Sequence, residues 1–81
     1  MTLDEIQQGV LNHWLVQHRK ALFRLTPVQI QSESMGSARL ARQEMDSLIA
    51  IGLDKATAWS EAMWLVLQAP PTPEEVDEGA G

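Results

Sequence analysis

The amino-acid sequence predicts a small all-α protein, a three-helix bundle followed by a disordered acidic C-terminal tail. In three segments, apolar residues recur every three or four positions, the spacing that places side chains on one face of an α-helix. The segments are separated by residues that stop or restart helices, at Thr26-Pro27, at Gly52 and at Pro70-Pro71. The predicted helices span roughly residues 2–25, 37–51 and 55–68.

The length and charge of the chain indicate a single domain with a distinct tail. The chain has 81 residues, of which 44% are hydrophobic, enough for one small core. The formal net charge is −5, and four acidic residues lie in 70–81, so residues 1–69 carry −1. We interpret 1–69 as the helical domain and 70–81 as a disordered Pro/acidic tail, because its composition cannot form a core.

Several classes of site are disfavoured by the residues present. The chain has no cysteine, which excludes disulfide scaffolds and cysteine-based zinc sites. His13 and His18 are five residues apart and are therefore expected on different faces of the first helix, unsuited to sharing a metal. With no glycine-rich phosphate loop either, we expect no enzymatic activity, no catalytic, cofactor or metal site, and no small-molecule substrate.

The same composition bears on location and partners. The first residues lack a basic stretch followed by an apolar run, and no apolar run approaches the ~20 residues that span a bilayer. We therefore expect a cytoplasmic protein without membrane association. The nearly neutral body disfavours nucleic-acid binding, which depends on clustered Lys and Arg.

The first predicted helix starts at a capping box, Thr2 with Glu5, and has an apolar stripe facing the core. Val16 and Phe23 fall on the opposite side from this stripe. Basic residues gather near the C-terminal end, where cations favour the helix dipole. They are His18, Arg19, Lys20 and Arg24.

Residues 27–36 give conflicting signals. Thr26, Pro27 and Gln29 form a typical helix start. The run VQIQ then alternates apolar and polar residues, as a strand does, and the serines and glycine of SESMGS weaken a helix. We expect a short helical turn or an extended connector here. A strand would need a partner strand from a second copy of the chain.

The third predicted helix, capped by Asp54, contains two tryptophans that cannot share one buried face. Trp59 lies in the core stripe, and Trp64, five residues later, points about 140° away, near the middle of the polar side. Either a second element of the protein covers Trp64, or Trp64 is an anchor for a binding partner, a role in which tryptophan is enriched.

Apolar residues that fall outside the core stripes suggest a second apolar surface and a protein-binding function. We expect a non-enzymatic interaction module, such as an adaptor, inhibitor or assembly chaperone of the kind found in phages and mobile elements. Its partner would be another protein or a second copy of itself in a homodimer. The predicted partner-binding residues are Trp64, Val16, Phe23, Leu40, Ile51, Arg19, Lys20 and Arg24.

An alternative function follows from the run VQIQSES, the helix after it, and the turn Ile51-Gly52-Leu53 before the last helix. This order resembles ribbon-helix-helix repressors, dimers in which a strand from each chain reads the major groove of DNA. By that resemblance Gln29 and Gln31 would contact bases.

The run SLIAIGLDKATAWSEA also resembles the first half of a ubiquitin-associated domain. In that resemblance Ile51-Gly52-Leu53 corresponds to the loop between its first two helices.

Overall fold

The predicted all-α class is confirmed. The computed structural model describes residues 2–68, 70 and 71, and these contain helices and no strand. Residues 72–81, the greater part of the predicted tail, lie outside this description. The helices are α1 (Leu3–Gln17), α2 (Arg19–Leu22), α3 (Pro27–Ala50) and α4 (Lys55–Leu67).

The first predicted helix is divided in two. The capping box is present, since Thr2 Oγ1 accepts the Glu5 N–H at 3.2 Å and Glu5 Oε1 accepts the Thr2 N–H at 2.8 Å. The continuous helix over 2–25 is wrong at His18, whose φ of −136° and ψ of 44° leave the helical region and end α1. Beyond this break, Leu22 and Leu25 are buried.

The connector expected at 27–36 is also wrong, because α3 begins at Pro27 and runs without interruption to Ala50. Its N-terminus is closed by a second capping box. Thr26 Oγ1 accepts the Gln29 N–H at 3.1 Å, and Gln29 Oε1 accepts the Thr26 N–H at 2.9 Å. The strand that could pair across a dimer is therefore part of a helix.

A continuous buried stripe along α3 explains why the helix extends through the serine-rich run. Ser34 is fully buried, and its Oγ accepts a hydrogen bond from Gln7 Nε2 at 2.9 Å and donates one to the Gln31 carbonyl at 3.2 Å. Burying a hydroxyl is tolerated when its hydrogen bonds are made. The stripe has helical spacing throughout and consists of Ile30, Ser34, Ala38, Ala41, Met45 and Leu48.

The core consists of two clusters that follow one another along the buried stripe of α3. One cluster joins α1 to α3 and the end of α4, and a second joins α3 to the beginning of α4. Half-buried Trp59 packs against both clusters, and a Cβ at Gly9 of α1 would lie 3.6 Å from its Cη2 atom. The indole of Trp59 therefore connects α4 to α1. In α4, Ala58 is buried whereas Ala56 is exposed.

The turn between α3 and α4 has the expected chemistry. Gly52 has φ +110° and follows the last turn of α3, so a residue without a side chain closes that helix. Asp54 then caps α4, with Oδ2 accepting the Thr57 N–H at 3.2 Å and Oδ1 accepting the Thr57 hydroxyl at 2.6 Å.

Two glycine substitutions test the continuity of α3. Gly36 lies inside the helix, and a Cβ there would meet nothing within 4 Å. Gly36→Ala should therefore raise the free energy of unfolding by about 0.5–1 kcal/mol, the difference in helix propensity. Gly52→Ala is the matched control and should lower it by about 1 kcal/mol, because alanine disfavours positive φ. Urea unfolding followed by circular dichroism measures both, and a destabilising Gly36→Ala would contradict the continuous helix.

The cap of α4 predicts a pH dependence. The hydrogen bonds from the Thr57 hydroxyl and then from the Thr57 backbone N–H lower the pKa of Asp54 from its ordinary value. A carboxyl whose pKa is lower in the folded state stabilises the protein above the unfolded pKa, and this is lost as the pH falls through the folded pKa. The melting temperature of Asp54→Asn should therefore fall less on acidification than that of the wild type. Asp54→Ser, which also removes the ionisable group and keeps a capping oxygen, is the control and should behave as Asp54→Asn does.

Candidate docking surface

The three tryptophans have different environments. Trp14 is 2% exposed and belongs to the core, Trp59 is half-buried, and Trp64 is 69% exposed. Trp64 therefore lies on the outer side of α4, where its spacing from Trp59 places it. The described residues of the chain leave most of this indole in contact with solvent.

Trp64 forms part of a groove of about 690 Å³ between α1 and α4, which we call the Trp64 groove. The α4 wall is mainly apolar, with Trp64 beside Met63 and Leu67 and with Trp59 at one end. The opposite wall, which we call the α1 wall, is polar and consists of His13 and Gln17 of α1 and of His18, which directly follows this helix. A groove with one apolar and one polar wall suits an amphipathic partner segment.

The two histidines on the α1 wall are close together. Their ring centroids are 5.9 Å apart, with the ring planes tilted by 56°. The expectation that they occupy different faces is wrong, because α1 ends at Gln17 and the non-helical backbone of His18 redirects its ring. The part of the chain that the structure describes holds no group of three His, Cys, Asp or Glu side chains placed to bind a metal ion.

The other predicted partner-binding residues are exposed but do not join Trp64 in its groove. Val16, Phe23 and Ile51 are each more than three-fifths exposed. The Arg19 guanidinium lies over the Phe23 ring, 5.7 Å from its centroid, and Arg19 Nε donates to the Leu15 carbonyl at 3.4 Å. The exposed cations Lys20 and Arg24 complete this basic end of α1 and α2.

Leu40 belongs to a second groove, of about 410 Å³ between α3 and α4, which we call the Trp14 groove. Its apolar lining is Trp14, Leu40, Leu65 and Val66, and Glu33, Ser37 and Glu44 of α3 provide polar groups. Pro70 and Pro71 also line it, and Pro71 is buried. The sequence predicts the end of the helical domain at residue 69, but Pro71 is also packed against this domain.

Trp14 carries a polar group without a partner. Its indole N–H is buried and has no hydrogen-bond acceptor among the described residues. Leaving a buried donor unpaired costs about 1–3 kcal/mol. The unpaired donor lies on a side chain that also lines the Trp14 groove.

Four exposed large apolar residues were not identified as exposed from the sequence: Leu15 and Ile49, at 37% and 38% exposure, and the more strongly exposed Leu65 and Val28. Leu65 is 56% exposed and Val28 is 78% exposed. Leu65 follows Trp64 and points about 100° away around α4, so its exposure could have been inferred from helical geometry. Val28 was assigned to a connector, and its position on α3 follows only once the helix is known to begin at Pro27.

Comparisons with protein-family models, with curated proteins and with solved structures find no match to this chain. No helix within the described residues is long and apolar enough to cross a membrane.

The contrast between Trp59 and Trp64 predicts unequal effects on stability. Trp59→Ala removes an indole that packs against both core clusters and should cost about 3 kcal/mol. Trp64→Ala removes a mostly solvated side chain and should cost less than about 1 kcal/mol. Chemical unfolding of the two variants tests this, and equal losses would mean that Trp64 belongs to the core.

Proposed function

We propose that this protein is a non-enzymatic protein-binding module that receives apolar side chains of a partner in the Trp64 groove. The observation that carries the proposal is the exposed Trp64 indole beside Met63 and Leu67 on the wall of this groove. Tryptophan is strongly enriched at the energetic centres of protein interfaces.

The energy available at this position is large. A tryptophan side chain buries about 150–250 Å² when it is covered, and burial stabilises by about 25 cal/mol per Å². Covering the exposed part of Trp64 therefore offers several kcal/mol. Truncating a central interface tryptophan costs about 2 kcal/mol or more, equivalent to at least about a thirtyfold change in Kd.

Charge near the groove favours a partner with acidic residues around its apolar side chains. Residues 6–32 contain no Asp or Glu, although the whole chain has a net charge of −5. Within this stretch, Arg19 and Lys20 directly follow His18 of the α1 wall. Complementary charge around an apolar anchor orients the partner and increases the association rate.

A second copy of the chain is the first partner to test. The described residues leave several large apolar side chains exposed, which favours self-association. In a homodimer, the acidic residues of one copy, which lie outside residues 6–32, would be able to pair with the basic residues at the end of α1 and in α2 of the other copy. An adaptor, inhibitor or assembly chaperone would instead use the groove for a different protein.

Sedimentation over a range of concentrations, with two matched variants, tests the proposal. If the wild type dimerises, Trp64→Ala should weaken the dimer at least about thirtyfold. Leu40→Ala removes a similarly exposed residue from the other groove and should leave the dimer unchanged.

If the wild type is monomeric, a photo-crosslinking amino acid at position 64 should capture a partner in the source cell, and one at position 40 should not. Equal effects of the two positions in either experiment would contradict a role for the Trp64 groove.

The alternative function, DNA binding, was suggested by a strand at residues 28–32. These residues belong to α3 instead. Both Gln29 and Gln31 lie on α3, and the Gln29 side-chain oxygen is engaged by the Thr26 N–H. The ribbon that would present them to the major groove is absent from the described residues.

A further inference from the structure

Two consecutive prolines of the chain itself line part of the Trp14 groove. Helix α4 ends at Leu67, and Pro70 and Pro71 then line the groove between α3 and α4. Pro71 is buried in the structure whereas Pro70 is exposed. The segment is short, and Leu40 and Leu65 on the groove walls remain 60% and 56% exposed.

The lining of the groove matches the chemistry of proline-containing chains. Consecutive prolines favour an extended polyproline conformation, whose carbonyl groups make no internal hydrogen bonds and whose proline nitrogens carry no hydrogen. Domains that bind such chains use aromatic-lined grooves. Here Trp14 supplies the aromatic ring, and its buried indole N–H lacks an acceptor among the described residues. A carbonyl of an extended chain is the group that would satisfy it.

We infer that the Trp14 groove is a binding site for an extended proline-containing segment, which Pro70-Pro71 fills in part within the same chain. The occupant is a peptide with two adjacent prolines, whose rings pack on Leu40, Leu65 and Trp14 and whose carbonyl accepts the Trp14 N–H. The site is separate from the Trp64 groove on the other side of α4, so it does not depend on the function proposed above.

The charges on the groove restrict the ligand further. The Glu44 carboxylate of α3 lines it, so an acidic peptide is repelled and a neutral or basic one is favoured. Because Pro70-Pro71 belong to the same chain as the groove, their effective concentration at the groove is high. A separate peptide therefore competes with them poorly in the wild type. Weakening the internal segment should therefore open the site to an added peptide.

The experiment uses the full chain with Pro70→Gly and Pro71→Gly together, observed through the Trp14 indole N–H signal in NMR spectra. The probe is the neutral hexapeptide acetyl-QAPPTP-amide, which copies residues 68–73. The control peptide is acetyl-QAAATA-amide. In the variant, hydrogen exchange of the Trp14 indole should accelerate about tenfold, while that of the Trp64 indole stays unchanged.

The proline peptide at ~1 mM should shift the Trp14 indole and the Leu40 and Leu65 methyl signals in the variant, and several-fold less in the wild type. Trp64→Ala in the same background should leave these shifts intact, which separates this site from the Trp64 groove. Equal shifts with the alanine peptide, or shifts confined to Trp64, would overturn the inference. If the double variant does not fold, nuclear Overhauser effects between Pro71 and the Trp14 ring in the wild type decide, and their absence overturns it.

Discussion

The close packing of small side chains along α3 determines the rest of the structure. Ser34, Ala38 and Ala41 are each 0% exposed and provide a narrow, shallow face. Because these residues are small, α1 can approach closely and place the large side chains of Val10 and Trp14 against them. Ser34 is the single polar residue of this face, and the hydrogen bond that it accepts from Gln7 allows its hydroxyl to be buried. The whole of α3, including its serine-rich beginning, must therefore be helical for the core to form.

This arrangement leaves large apolar side chains without a place inside. Trp64 and Leu65 are neighbours in the chain, but the 100° step of the helix directs them to different sides of α4. One lines the groove against α1, and the other lines the groove against α3. The described part of the chain thus has two apolar grooves that share one helix. The first has a basic stretch beside it in the chain, and the second is lined in part by Pro70 and Pro71 of the protein itself.

The parts of the fold that depend on local chemistry could be predicted from the sequence. Helix α4 follows from the Asp54 cap and the prolines after it, and the outward position of Trp64 follows from its spacing to Trp59. The beginning of α3 could not be predicted in the same way, because alternation in VQIQ and the serines favour other structures locally. Its buried stripe packs on residues that are distant in sequence, and the hydrogen bond from Gln7 to Ser34 is one of these contacts.

Features of the candidate site that depend on where a helix ends could not be predicted from helical spacing either. The proximity of His13 and His18 depends on the end of α1 at Gln17, and no residue type marks that end in the sequence. The return of Pro71 onto the core likewise depends on the direction of the chain after α4. By contrast, Val16, Phe23, Leu40 and Ile51 are all exposed, as expected from the sequence. For Val16 and Leu40, which lie within helices, periodicity alone determines which side of the helix they occupy. It does not determine whether they share one surface.

Native-state hydrogen exchange of the α3 backbone amides tests the central claim most directly. If the buried stripe holds α3 as one helix between α1 and α4, the amides of residues 31–36 should be protected nearly as well as those of residues 38–45 and should open with them as one unit. Rapid exchange throughout 31–36, with protection beginning only near Ser37, would show that the first third of α3 does not belong to the core and would contradict this account.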